Sequence, residues 1–351
     1  MKGKSKVLLF LMLCIVILFT ACSNPLASLR EFFNKKTAAI DDEPAVEEVS
    51  TEEDLSEVSL EQPNDTRATV LYYKDEDNLL VPVMRYIPKG DMGIAKAAIK
   101  GMIYSQELLE DIKPTGLQPT LPVGTVINGA VIREDGLAII DFNENFLNFN
   151  TAEGEALGVK ALVYTLAGFP NIKTVQIKIE GESIDEMPFG TTIGSPLKAT
   201  EINLVKPEKM DDKMSKVMVY YQKKGSGNYS YFVPLTKVVS GFTNSGEAAI
   251  SALLEGPVPG LGLRNSFPEG TKLLGLEVNN GIAFVNFSDD ILNISSLTEE
   301  RAMVKAITLT LGEFESVSKV RIFVNGQTIE NTENIGGKDY IDIPVFVNFY
   351  E

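Results

Sequence analysis

The sequence contains no histidine and no tryptophan, and its two cysteines, Cys14 and Cys22, both fall in an apolar stretch near the N-terminus. Lack of histidine removes the commonest general base, the Ser-His and Cys-His nucleophile pairs, and most zinc and haem ligand sets. With no cysteine beyond Cys22, the folded part has neither a disulfide framework nor a thiol catalyst. Catalysis would have to come from carboxylates, lysine, serine, threonine or tyrosine. Basic residues are also scarce: 32 Lys and Arg stand against 48 Asp and Glu, for a formal net charge of −16. Such a chain repels nucleic-acid phosphates, which excludes nucleic acid as a partner. The acidity serves solubility or, alternatively, a basic partner.

The 351 residues are 44% hydrophobic, enough for more than one globular core. The N-terminus reads as an address. Lys2, Lys4 and Lys6 precede an almost wholly apolar run from Val7 to Phe19, too short to span a bilayer comfortably and suited to a signal peptide over residues 1–21. The run ends Phe19-Thr20-Ala21-Cys22, which resembles a bacterial lipobox with phenylalanine where leucine is usual. That resemblance implies a lipid on Cys22, the membrane through this anchor as a partner, and an extracytoplasmic location. An ordinary signal peptide with a chance cysteine and an uncleaved anchor are the alternatives. Residues 22–66 then form a tether, because the stretch from Thr37 to Thr66 holds eleven Asp and Glu, no Lys or Arg and no aromatic residue.

Beyond the tether the sequence repeats itself. Val159-Lys160-Ala161 returns as Val304-Lys305-Ala306, and the same offset aligns Gly136 with Gly281, Phe169 with Phe314 and Gly181 with Gly326. Tyr72-Tyr73 returns as Tyr220-Tyr221, and Pro82 as Pro234. A first helix is expected to bury Ala98, Ile99, Met102 and Ile103, or Ala249, Ile250, Leu253 and Leu254. A second buries Val159, Leu162, Val163 and Leu166, or Val304, Ile307, Thr308 and Leu311. Glu134-Asp135-Gly136 and Asn279-Asn280-Gly281 are hairpin turns. The predicted fold is therefore α+β: two tandem β-β-α-β-β-α-β units, each with two helices on one face of a small, largely antiparallel sheet. The expected limits are 67–197 and 215–351, joined by a connector at 198–214, in which Ile202 to Val205 could add a strand. The run from Ile343 to Phe349 is expected to complete the second sheet. Pro82 and Pro234 place their strands at an edge or bulge, open either to pairing between subunits or to blunting it.

Four carboxylates are the best catalytic candidates: Asp141, Glu144, Asp289 and Asp290. A pair at suitable separation could hydrolyse a glycosidic bond, yet Asp141 aligns with Asn286, so the reading is of no catalytic residue. Asp75-Glu76-Asp77-Asn78 gathers calcium-type ligands without EF-hand spacing; it is expected to be a solvated hairpin loop. Tyr72-Tyr73 and Tyr220-Tyr221 could stack on sugars, but one tyrosine of each pair should face the core. The glycines from Gly256 to Gly262 lack a P-loop lysine and read as turns. No cofactor or metal is expected.

Lipobox, acidic tether and duplicated domain, with the repeated Pro-x-Gly-Thr, Gly-x-Ala-x-x-Asx-Phe and Val-Lys-Ala blocks, resemble the GerM-type sporulation and germination lipoproteins with tandem GerMN domains. The resemblance covers essentially the whole chain, and Cys22 is the only functional residue it carries over. It implies a noncatalytic scaffolding role in the space between mother cell and forespore. The implied partners are protein components of the channel complex joining the two cells, with self-association open because GerMN domains are similar to ring-building modules. An envelope lipoprotein that binds peptidoglycan or a small ligand is the alternative.

Overall fold

The computed structural model describes residues 65–89, 93–205, 214–241, 244–328 and 340–350. The expected signal peptide, Cys22 and nearly all of the expected tether lie outside these residues. In the first copy, β1 (Thr66–Lys74) and β2 (Leu80–Pro88) form an antiparallel hairpin, followed by α1 (Ile94–Lys100) and α2 (Gln106–Ile112). Then come β3 (Ile127–Ile132), β4 (Leu137–Phe142), the long helix α3 (Ala152–Ala167) and β5 (Thr174–Ile179). After the short β6 (Leu204–Val205), the second copy runs β7 (Met214–Lys224), β8 (Ser230–Ser240), α4 (Ser245–Leu254), β9 (Leu263–Arg264), β10 (Leu273–Asn279), β11 (Ile282–Phe287), α5 (Leu297–Gly312), β12 (Lys319–Val324) and β13 (Ile341–Asp342).

The order predicted from sequence is present in both copies, and pairing adds two refinements. Each copy's strands divide between a hairpin and a separate sheet, β3-β4-β5 or β10-β11-β12-β13. Within that sheet β4 and β5, like β11 and β12, are parallel. Two parallel strands need a crossover, and the sixteen-residue helices α3 and α5 provide it. Helix α2 has no counterpart; Ser105 starts it by accepting a hydrogen bond from Leu108 N at 3.1 Å. The second copy instead places β9 against β7.

Burial follows the stripes. Ala138, Ile140 and Phe142 of β4, Val175 and Ile177 of β5, and Ala161, Leu162 and Leu166 of α3 make one core; Ala283, Val285 and Phe287 with Ile307, Leu311 and Val320 make the other. Met102 is buried as expected but lies outside a helix. Helix α1 stops at Lys100, and the Met102 carbonyl accepts from Thr120 N and Leu121 N, so the chain has already turned away. Polar contacts repeat with the cores. Thr165 Oγ1 accepts from Tyr72 N at 3.2 Å, and Thr310 Oγ1 from Tyr220 N at 3.3 Å. Tyr73 Oη donates to Gly101 O, and Tyr221 Oη to Ala252 O. Among the described residues no helix is long and apolar enough to cross a membrane.

Candidate functional site

The two copies meet through their hairpins, along a seam between β2 and β8 that two asparagines hold. Asn203 accepts from Leu80 N at 2.9 Å through Oδ1, while its Nδ2 donates to Leu80 O and Pro234 O. Asn348 accepts from Phe232 N at 2.7 Å and donates to Phe232 O and Pro82 O. Leu80 and Phe232 are repeat equivalents, as are Pro82 and Pro234, and Asn203 and Asn348 are related by the repeat offset of Val159 and Val304. The two clasps are therefore images of one another about a pseudo-two-fold axis. Each amide donates to a proline carbonyl, Asn203 to Pro234 and Asn348 to Pro82, on strands whose prolines have no N–H of their own to offer.

The segments carrying these asparagines cross over reciprocally. Strand β6, which follows the first copy, pairs in parallel with β8 of the second. Phe349, at the end of the second copy, bridges in parallel to Met84 on β2 of the first. This corrects the expectation that 343–349 completes the second sheet; β13 at Ile341–Asp342 does that, and Pro344 then frees the tail to run to the other copy. The proline edges are used for pairing, but inside one chain.

The repeat places Asp75 and Lys223 at the same position, and the structure joins them. Lys223 Nζ lies 2.7 Å from Asp75 Oδ2 and also pairs with Asp77. Lys223 is 2% exposed and Asp75 1%. The expectation of a solvated loop is thus wrong for Asp75: its Oδ1 accepts from Asp77 N and Leu79 N, turning Oδ2 towards the lysine. Burial alone would depress the Lys223 ammonium, but the hydrogen bonds and charges of the two aspartates reverse this and raise it.

A second cluster links Tyr72, Tyr164, Tyr220 and Glu313. The Tyr72 and Tyr164 rings meet at a tilt of 47° with centroids 5.2 Å apart, and Tyr220 Oη donates to Glu313. Glu313 is exposed overall, but local desolvation of its carboxyl raises it, partly opposed by the Tyr220 hydrogen bond, and burial pushes the Tyr164 phenol up to about 12. The tyrosine pairs offer no open stacking platform, since Tyr73 and Tyr221 are core residues and Tyr220 is also buried.

The candidate carboxylates are not brought together. Asp141 Oδ1 accepts from Gly181 N at 2.7 Å, and Asn286 Oδ1 accepts from Gly326 N at 2.8 Å. The same acceptor role explains why aspartate and asparagine interchange here. Glu144 is exposed in a 3-10 turn, Asp289 is exposed in its equivalent, and Asp290 accepts from Ser288 Oγ at 3.0 Å. Among the described residues no group of three acidic side chains could hold a metal ion. Sequence reasoning missed the two asparagines, although the offset that aligned the glycines also aligns Asn203 with Asn348.

The chain is 29% identical over 288 residues to the spore germination protein GerM of Bacillus subtilis (strain 168), covering 79% of this chain and 77% of that protein. It is similar to the solved tandem GerMN domains of the sporulation protein GerM from Bacillus subtilis, with a TM-score of 0.70 and 30% identity, over 82% of this chain and all of that one. A model of the Germane family, described as sporulation and spore germination, matches residues 70–185 and 218–330. Two matched segments, one in each half of the seam, place this chain in the Germane family of sporulation and spore germination proteins.

Proposed function

We propose that the protein is a noncatalytic assembly factor for the channel complex between mother cell and forespore, held on the outer face of a membrane by a lipid on Cys22. The observation that carries this reading is the seam. Polar side chains that would otherwise be free for chemistry, Asp75, Lys223, Asn203 and Asn348, are spent on fixing two modules as one body. A lipid, an acidic tether and a fixed pair of modules together give reach and a defined surface, which suits scaffolding. Self-association is compatible with that role.

Two measurements test it. Affinity purification from membranes of sporulating cells should recover channel proteins with the full chain, and recovery of none would overturn the assembly role. A fatty-acid probe should label the wild-type chain and not Cys22→Ala; label that survives the substitution would overturn the anchor. Retention of the pure chain on purified sacculi would favour the peptidoglycan-binding reading instead.

A further inference from the structure

A depression of about 550 Å³ lies in the first copy at the C-terminal end of the parallel pair β4 and β5, away from the asparagine clasps. Its apolar lining includes Leu147, Phe149, Ile184 and Phe189, and both charged residues that line it, Glu144 and Glu180, are acidic. Size and lining are those of a site for one or two side chains.

Three features show that this depression is built. First, Phe189 is 46% exposed at the tip of a turn, yet a buried charge holds that turn. Glu155, fully buried on α3, accepts from Phe189 N and Thr191 N, each at 3.0 Å, and Gly190 closes the turn with φ +96. Burying a carboxylate is costly, and here it presents an aromatic ring to solvent. Second, an aromatic series leads from the core to the depression: Phe142 stacks on Phe146 at 4.2 Å, and Phe146 meets Phe149 edge-on at 5.9 Å. Phe149 lies so close to α3 that a Cβ at Gly158 would come within 2.5 Å of its ring. In the second copy the equivalents of Phe146, Phe149 and Gly158 are Ile291, Ile294 and Met303, an aliphatic arrangement of similar bulk. Third, Glu180 adopts φ +48, where the second copy has Asn325 at the same angle. Asparagine tolerates that backbone better than glutamate. The glutamate carboxylate accepts from Glu144 N at 3.3 Å, which keeps a negative charge beside the depression.

We propose that this depression docks an extended segment of a partner protein, one that offers an aromatic or branched aliphatic side chain flanked by lysine or arginine. The apolar floor takes the anchor, and the two glutamates select the basic flanks and reject anionic surfaces. The proposal deepens the assembly reading and rests on it, but its test needs neither sporulating cells nor a channel protein.

The chain has no tryptophan, so a tryptophan peptide reports its own burial. The full chain in phosphatidylcholine nanodiscs is titrated with acetyl-Lys-Lys-Trp-Leu-Lys-amide and with the peptide in which glutamate replaces each lysine, and empty nanodiscs serve as reference. The cationic peptide should show a saturable blue shift and bind about tenfold tighter than the acidic one, the scale of one or two charge pairs. Phe189→Ser, at an exposed tip, should leave Tm unchanged and weaken binding about tenfold; Glu144→Lys should remove the preference for the cationic peptide. No saturable shift, equal binding of both peptides, or unchanged binding by Phe189→Ser would each overturn the proposal. So would a Phe189→Ser chain that binds both peptides as the wild type does but loses sedimentation with phosphatidylcholine vesicles, which would mark a membrane-facing tip. Channel proteins that co-purify with a chain that binds neither peptide would refute this depression and leave the assembly role standing.

Discussion

The two copies share a fold and differ in what their polar residues face. Inside each copy, equivalent residues do equivalent work: Thr165 and Thr310 tie the first strand to the long helix, and Asp141 and Asn286 hold a glycine turn. Across the seam the asparagines repeat but the charges do not. Asp75 and Lys223 occupy one position in the repeat, and that position lies close enough to the pseudo-two-fold axis for the two side chains to meet. Two aspartates there would repel, as would two lysines. At this point the seam is complementary and not self-complementary, which favours pairing of a first copy with a second over pairing of like with like.

The sharpest way to break that asymmetry is to remove its cation. Lys223→Ala leaves Asp75 buried without its partner, and loss of one member of a buried pair costs about 3–5 kcal/mol. Chemical denaturation should show this as a fall in midpoint. Asp75→Asn keeps the acceptor for Asp77 N and Leu79 N and leaves Asp77 to the lysine, so it should cost less. Equal losses would mean that packing rather than charge sets the cost.

Next in size are the clasps. Asn348→Ala strands the Phe232 N–H and two carbonyls at a buried position, and unpaired buried groups cost about 1–3 kcal/mol each at most. We expect a total loss of about 2–3 kcal/mol, with faster amide exchange at Phe232 and Met84. Asn203→Ala should cost less, because its contacts are only partly buried. If the seam closes like a dyad, the two losses should differ in size and not in kind.

Much of the fold was legible because repetition doubles each signal. A hydrophobic stripe at 159–166 is persuasive alone and more so when it returns at 304–311, and the burial of both bears it out. What the sequence hid was partnership. Asn203 sits in a connector and Asn348 in a strand-like tail, and neither has a local pattern that marks it as a bridge. The Asp75 loop read as solvated because its charges are local, whereas the lysine that neutralises them lies 148 residues away. The 343–349 run read as a strand of its own copy because propensity reports extension and says nothing of which edge is free. The docking depression was hidden too. Phe189 looks like any loop aromatic until Glu155 is seen to hold its turn.

The smallest expected effect addresses the residues that sequence alone left as catalytic candidates. Asp141 and Asn286 each need only one acceptor oxygen, 2.7 and 2.8 Å from a glycine N–H, so exchanging them should be mild. Asp141→Asn keeps the bond and loses only the extra strength of a charged acceptor, about 1 kcal/mol. Asn286→Asp should be the less tolerated direction, because Asn286 is 6% exposed and the exchange would put a carboxylate there. The measurement is a pair of denaturation curves read beside assembly in sporulating cells. Assembly should survive Asp141→Asn; its loss with stability intact would show that the carboxylate acts as a charge, and would break the equivalence of the two copies at the point where their hydrogen bonds match most closely.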